Sequence, residues 1–111
     1  MNGTAVFNFS INIAPKSINE LLIKLNKNKE EIDFYILHQA NKLILDTIRK
    51  KIKVSADKFI IDIENYGNTV SSTIPIALYN ATKNGLIKKG NKIILSAFGV
   101  GYSWASAYIE Y

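Results

Sequence analysis

Apolar and polar positions along the chain follow two different periods, one typical of helices and one typical of strands. The clearest helical pattern covers residues 40–53, where apolar side chains recur three and four residues apart and form one stripe. A second helix is predicted to begin at Ser71 or Ser72, either of which can cap it, and to end at Asn84 and Gly85.

Short apolar runs predict strands over residues 33–37, 59–63, 92–98 and 103–111. Strands that alternate with helices imply parallel pairing and right-handed crossovers. The last strand follows its neighbour after a tight glycine turn, so these two strands are expected to be antiparallel. The predicted fold class is therefore α/β, with a mixed sheet of βαβαββ order preceded by a helical segment.

The amino-terminal segment allows two interpretations. Apolar residues alternate with polar ones over residues 7–13, which is typical of a strand, whereas residues 17–27 have helical spacing with Pro15 in the expected first turn. From these residues alone, strand and helix both remain open for the first part of the segment.

Composition limits the possible classes of protein. A chain of 111 residues with 48% apolar and 21% charged residues predicts one globular domain, residues 1–111. No apolar run approaches the ~20 residues that span a bilayer, and the start has no signal-peptide pattern, so a cytoplasmic protein without membrane contact is expected. The absence of cysteine excludes thiolate metal sites and a cysteine nucleophile within the chain. No metal site is expected.

Three segments that contain candidate functional residues follow predicted strands, at residues 38–41, 66–69 and 98–101. In open α/β sheets, ligands gather beyond the carboxyl ends of the strands, where all three segments are expected to meet. The first segment contains His38, the only histidine, and the second contains Asn68. Their common edge indicates a functional site.

Each segment also has an ordinary structural interpretation. A lone histidine such as His38 is usually structural or merely exposed, and Asn68 can be a turn residue that tolerates a positive φ. Gly99 and Gly101 can serve only a hairpin. The shared position of the segments, rather than any one residue, therefore carries the functional interpretation.

The sequences HQAN at residues 38–41, YGNT at residues 66–69 and AFGVGYSW at residues 97–104 resemble, in order and separation, signatures of the β-ketoacyl-acyl carrier protein synthase III family. The resemblance covers nearly the whole chain. That family has a thiolase-like fold of two related halves, and this chain corresponds to the carboxyl-terminal half. The resemblance favours a helix over residues 4–13.

The resemblance implies a decarboxylative Claisen condensation in fatty acid synthesis. In the family, a cysteine of the first half takes an acyl group from acyl-coenzyme A, and malonyl-acyl carrier protein then loses carbon dioxide and attacks it. His38 and Asn68 match the catalytic pair that donates hydrogen bonds to the malonyl thioester oxygen. Backbone N–H groups near Gly99 and Val100 match the acyl-side oxyanion hole. The resemblance implies no cofactor beyond these thioester substrates, and the chain alone is expected to be inactive.

The resemblance also implies a docking surface for acyl carrier protein on the predicted helix 40–53. The family usually has an arginine where this chain has Leu43, so Lys42 is the nearest basic residue. A solvated face with Lys42–Asp46 and Asp46–Lys50 pairs is the alternative. The predicted carrier-binding residues are Gln39, Ala40, Asn41, Lys42, Leu43, Arg49 and Lys50.

Three readings of the function stay open at this point. The first hypothesis is that the chain is part of a synthase III, and the second is a free-standing module that binds acyl carrier protein. The third is a diverged condensing enzyme for a specialised acyl product, which is supported by Leu43 in place of the arginine. The expected partners are acyl carrier protein, acyl-coenzyme A and the amino-terminal half of the synthase. A homodimer is expected because the helix over residues 71–85 is apolar around most of its surface. Nucleic acid is not expected, because aromatic side chains do not interleave with the basic face.

Overall fold

The computed structural model describes residues 3–39, 41–62, 73–99 and 103–111. Within these ranges, three α-helices and four strands follow one another along the chain. In order they are α1 (Gly3–Leu25), β1 (Phe34–Leu37), α2 (Lys42–Ile52), β2 (Phe59–Ile60), α3 (Thr73–Lys83), β3 (Lys92–Gly99) and β4 (Ser103–Glu110), with short 3-10 helices at Lys29–Glu31 and Ala56–Lys58.

The four strands form one mixed sheet with the order β2-β1-β3-β4. Strand β1 is parallel to both β2 and β3, whereas β4 is antiparallel to β3. This arrangement confirms the predicted α/β class and the βαβαββ order. It also brings the carboxyl ends of β1, β2 and β3 to the same edge of the sheet, which is called the carboxyl edge below.

Helix α1 settles the amino-terminal segment in favour of a helix, and it corrects the expected position of Pro15. That residue does not lie in a first turn but inside one continuous helix that begins at Gly3. Proline cannot donate the usual helical hydrogen bond there. Burial of Ala14, Ile18 and Leu22, which are spaced four residues apart on one face, offsets this loss.

Helix α2 and strand β2 are both shorter than the sequence predicted. Helix α2 begins only after Asn41, whose Oδ1 accepts a hydrogen bond of 2.8 Å from the N–H of Ile44. It ends at Ile52, and the residue that follows, Lys53, has a left-handed φ of 59°. Strand β2 pairs with β1 at two positions rather than extending over residues 59–63. The predicted caps of α3, Ser71 and Ser72, lie outside the described residues.

Two apolar clusters cover the two faces of the sheet. The larger cluster packs α1 and α2 against residues such as Tyr35 and Ile94, and the smaller one packs α3 against Ile36 and Ile93. Neighbouring residues of each strand therefore point to opposite faces, as the two-residue period of a strand requires. The result is three layers, with the sheet between α1 and α2 on one side and α3 on the other.

In the described part of the chain, no helix combines the length and the apolar character that a membrane span needs.

Candidate functional site

Some of the residues that were predicted to be functional lie at the carboxyl edge. His38 and Gln39 follow β1 directly, and Gly99 is the last residue of β3. Ala40, Asn68 and Val100 lie outside the described residues, so the predicted roles of the last two in catalysis stay predictions. The described part of the site is therefore built from the ends of β1, β2 and β3.

His38 is held by its backbone and its ring in different ways. Its N–H donates a hydrogen bond of 2.9 Å to the carbonyl oxygen of Ser96, which continues the pairing between β1 and β3. Its ring meets the ring of Phe98 edge to face, with 5.7 Å between centroids and 86° between planes. Phe98 is almost fully buried, so it limits the positions that the imidazole can take.

Burial also sets the charge of His38. It lowers the pKa of the imidazole, because the charged ring loses more hydration than the neutral one. A neutral imidazole carries one N–H donor, and its other nitrogen is an acceptor. At neutral pH, His38 therefore offers a single hydrogen-bond donor near the carboxyl edge without a positive charge.

Gln39 is not on the surface, in contrast to its predicted place in the docking segment. Its side chain is 2% exposed. Its Nε2 donates to the carbonyl oxygens of Leu37 and Ile60 at 2.7 and 3.2 Å, and its Oε1 accepts from the N–H of Asp62 at 2.7 Å. Because these bonds use the amide inside the protein, Gln39 cannot reach a docked partner without leaving them.

The same hydrogen-bond network continues from the sheet to α3. Asp62 follows β2, and its Oδ2 accepts a hydrogen bond of 2.8 Å from Nδ2 of Asn80 on α3. Within the described residues, every buried side-chain nitrogen and oxygen has a hydrogen-bond partner. The network of Gln39, Asp62 and Asn80 therefore joins β1, the chain after β2, and α3.

The exposed part of the predicted docking surface lies at the start of α2. Asn41 and Lys42 are exposed, and Leu43 is 66% exposed. Lys50 is also exposed, eight residues and therefore about 12 Å further along the helix. Lys42 and Lys50 thus project from a helix that begins close to His38.

Arg49 differs from the lysines of the predicted basic face. It is only partly exposed, and its Nη1 donates a hydrogen bond of 3.1 Å to the carbonyl oxygen of Val54. That contact ties the end of α2 to the chain that follows it. Arg49 therefore stabilises the fold through this hydrogen bond, and its predicted role in docking stays a prediction.

Open space surrounds the backbone of Gly99. A Cβ atom added to this residue would meet no other atom within 4 Å, and Gly99 pairs with Ser103 at the start of β4. Among the described residues, there is therefore room for a side chain at this position, although the residue is a glycine. The predicted use of backbone donors near Gly99 and Val100 stays a prediction.

Two features of the site were missed in the sequence. Phe98 was predicted only as the end of a strand and as part of the glycine-containing motif, yet it contacts His38. The signal that could have found it is the two-residue period of β3, because Ile94 and Phe98 share the face of the sheet that packs against α1 and α2. The hydrogen-bonding role of Gln39 had no comparable signal.

Among residues that the structure describes, no group of three His, Asp or Glu side chains could hold a metal ion.

Comparison with known proteins identifies the class of this fold and site. Residues 22–111 match the family model described as 3-oxoacyl-[acyl-carrier-protein (ACP)] synthase III C terminal. The chain belongs to this family. Its fold is the thiolase-like fold of these synthases, as the resemblance in the sequence implied.

Particular relatives resemble the chain along its whole length. The β-ketoacyl-[acyl-carrier-protein] synthase III of Acaryochloris marina is 42% identical over 111 residues, which are 100% of this chain and 33% of that protein. A 2.1 Å crystal structure of a 3-oxoacyl-(acyl-carrier-protein) synthase III has a TM-score of 0.97 at 43% identity, and covers 100% of this chain and 33% of its own. The synthase III of Aquifex aeolicus has a TM-score of 0.97 at 33% identity, with 100% and 36% covered. The chain thus spans about a third of the length of these relatives.

Proposed function

We propose that this chain supplies the carboxyl-terminal part of a β-ketoacyl-acyl carrier protein synthase III, which condenses malonyl-acyl carrier protein with an acyl-coenzyme A. The observation that carries the proposal is membership of the synthase III family together with a partly buried His38 at the carboxyl edge of the sheet. In an open α/β sheet, that edge is where substrates bind.

In the proposed reaction, the bond between the malonyl carboxylate and its α-carbon breaks, and carbon dioxide leaves. The electron pair passes to the thioester as an enolate, whose carbon then attacks the acyl thioester, and the enzyme's thiolate leaves. His38 donates a hydrogen bond to the malonyl thioester oxygen as negative charge develops there, and Asn68 is the proposed second donor. Burial favours the neutral ring of His38, and this form still has one N–H to donate to the oxyanion.

The nucleophile of the reaction comes from outside these residues, because the chain contains no cysteine. The surface around α3 supports a larger assembly. Tyr79 on that helix is 62% exposed and Leu86 just beyond it is 49% exposed. We propose that the rest of the synthase, or a second copy of the protein, covers this apolar surface.

The decisive test compares two samples, this chain alone and a full-length synthase that carries these 111 residues as its carboxyl-terminal third. The full-length protein is expected to form a β-ketoacyl product from malonyl-acyl carrier protein and acetyl-coenzyme A, and the chain alone is expected to form none. Mass spectrometry of the products measures β-ketoacyl formation in both samples. A full-length protein that binds acyl carrier protein but makes no product would favour the alternative of a carrier-binding module.

The proposed docking surface consists of Asn41, Lys42, Leu43 and Lys50 on α2, with Arg49 at its margin. Reversing two charges, Lys42→Glu with Lys50→Glu, is expected to weaken binding of the acidic carrier protein roughly tenfold, the scale of two exposed ion pairs. Higher salt should weaken binding of the unaltered protein, because exposed charges are screened. Titration calorimetry at two ionic strengths measures both effects.

A matched control reverses two charges away from this surface. Lys88 and Lys89 are exposed and precede β3, at the opposite edge of the sheet from His38. The variant with both residues changed to glutamate has the same net charge as the α2 variant. A difference in affinity between the two variants therefore reports the position of the charges and not the net charge. Equal affinities for the two double variants would show that α2 has a merely solvated basic face.

A further inference from the structure

The pairing between β1 and β2 stops early, and the side chain of Gln39 begins where it stops. The two strands pair at Tyr35 with Phe59 and at Ile36 with Ile60. The next pair in this register would join Leu37 and Ile61, but β2 ends at Ile60. The carboxamide of Gln39 lies in this region and contacts both chains.

The hydrogen bonds of Gln39 follow the pattern of a parallel strand. In a parallel ladder, one residue donates its N–H to the residue before its partner, and its C=O accepts from the residue after its partner. Gln39 does the same with its side chain, because Nε2 donates to the carbonyl of Ile60 and Oε1 accepts from the N–H of Asp62. The carboxamide thus takes the place of the backbone N–H and C=O of a residue opposite Ile61, and it is bound to β1 through the carbonyl of Leu37.

This replacement of backbone groups by a side chain fixes the chain at Asp62, just after β2. The backbone of Asp62 is bound by Gln39, and the carboxylate of Asp62 is bound by Asn80 of α3. Burial strengthens the network, since water does not compete for the amide of Gln39. Along the sequence, Gln39 adjoins His38, and Asp62 leads into the segment that contains Asn68.

We infer that Gln39 is a positioning residue, which ties Asp62, just after β2, to the end of β1 and so holds His38 in place for the reaction. This inference rests on the proposed function of the chain. Gln39 does not touch the substrate in this arrangement; it acts through the backbone of Asp62. A misplacement of about 1 Å at a reacting group lowers a rate by as much as 10²-fold, so a buried amide can have a large effect without any contact of its own.

The test uses a full-length synthase that contains this chain, and it compares Gln39→Met with the unaltered protein. Methionine has a similar length and no hydrogen-bonding amide, so it preserves volume and removes the bridge. The rate of malonyl-acyl carrier protein decarboxylation at saturation is expected to fall about 10²-fold, with the KM for that substrate within about threefold. Transfer of the acyl group from acyl-coenzyme A to the enzyme, measured by mass spectrometry, is expected to keep the parent rate.

Tyr35→Phe is the matched control, because it removes a different buried hydrogen bond from the same strand. The hydroxyl of Tyr35 donates to the carbonyl of Lys29 at 2.8 Å, near the end of β1 that is remote from His38. This variant is expected to lose some thermal stability, because one hydrogen bond is removed, and to decarboxylate at the parent rate. Gln39→Asn, which keeps an amide but shortens its reach, is expected to lose decarboxylation like Gln39→Met, and it replaces that variant if methionine prevents folding.

The inference is overturned if Gln39→Asn or a folded Gln39→Met decarboxylates at the parent rate. It is also overturned if both half-reactions fall together, or if Tyr35→Phe loses as much decarboxylation, because a general loss of stability then accounts for the effect. A parent synthase without decarboxylase activity would instead refute the proposed function.

Discussion

Replacing His38 with alanine in a full-length synthase that contains this chain should slow malonyl-acyl carrier protein decarboxylation by about 10²–10³-fold, which is the scale for loss of one oxyanion donor. The expected loss is large because the imidazole lies in a partly buried position, where water competes weakly for the developing enolate. The measurement is release of carbon dioxide at saturating substrate. Asn68→Ala should give a loss of the same order if the two residues share the oxyanion.

The pH dependence of the parent enzyme provides a second readout of His38. The proposed active form is the neutral imidazole, in which one nitrogen donates and the other accepts. Protonation makes both nitrogens donors and removes the acceptor, so the rate should fall as the pH drops through the pKa of His38. Burial lowers that pKa from the ordinary value of 6.5, so the fall should occur below pH 6.5 and should be absent from His38→Ala. Acyl transfer from acyl-coenzyme A is the internal control and should change little. Unchanged decarboxylation in His38→Ala would remove this residue from the mechanism.

The position of His38 could be predicted from the sequence because it depends on topology rather than on detailed packing. A short apolar strand followed by a helix places the intervening residues at the carboxyl edge of a parallel sheet. The structure confirms that position for the chain after β1 and the parallel pairing of β1 with β3. The stripe of α2 was equally predictable, because apolar side chains occupy its buried positions, such as Ile44 and Ile48.

Helix α1 shows why part of the fold could not be predicted from polarity alone. Two of its buried positions are serines, Ser10 and Ser17, which interrupt the apolar stripe, and Ser10 is part of the apparent alternation over residues 7–13. Ser17 is tolerated there because its Oγ lies 2.6 Å from Oγ of Ser106 on β4. A buried polar residue of this kind becomes intelligible only when its partner, distant in the sequence, is known.

Gln39 presents the same difficulty within the site. The resemblance to the synthase III family placed it in the carrier-contact segment, so it was predicted to bind the carrier protein. Its burial depends on the early end of β2, and the pairing of a two-residue strand has no strong sequence signal. The bound backbone of Asp62, 23 residues away, therefore decides the role of Gln39.

The largest expected effect on stability concerns the packing of α2 against α1 and the sheet. Leu45 is 0% exposed and belongs to the larger apolar cluster. Leu45→Ala should lower the free energy of unfolding by about 2–5 kcal/mol, because it removes buried methyl groups and leaves a cavity. Against a typical total stability of about 5–15 kcal/mol, this loss is large. Urea unfolding followed by circular dichroism measures it, at one protein concentration for all variants so that self-association does not enter the comparison.

Leu43→Ala is the control, because Leu43 is the same side chain two residues earlier on the same helix. It is 66% exposed, so its replacement should change the free energy of unfolding by no more than about 0.5 kcal/mol. Both variants alter helix propensity in the same way, and the difference between them therefore reports burial alone. Equal losses would mean that α2 does not pack against α1 and the sheet through Leu45. A loss confined to Leu45→Ala would leave Leu43 free to contact a partner, which the proposed docking surface requires.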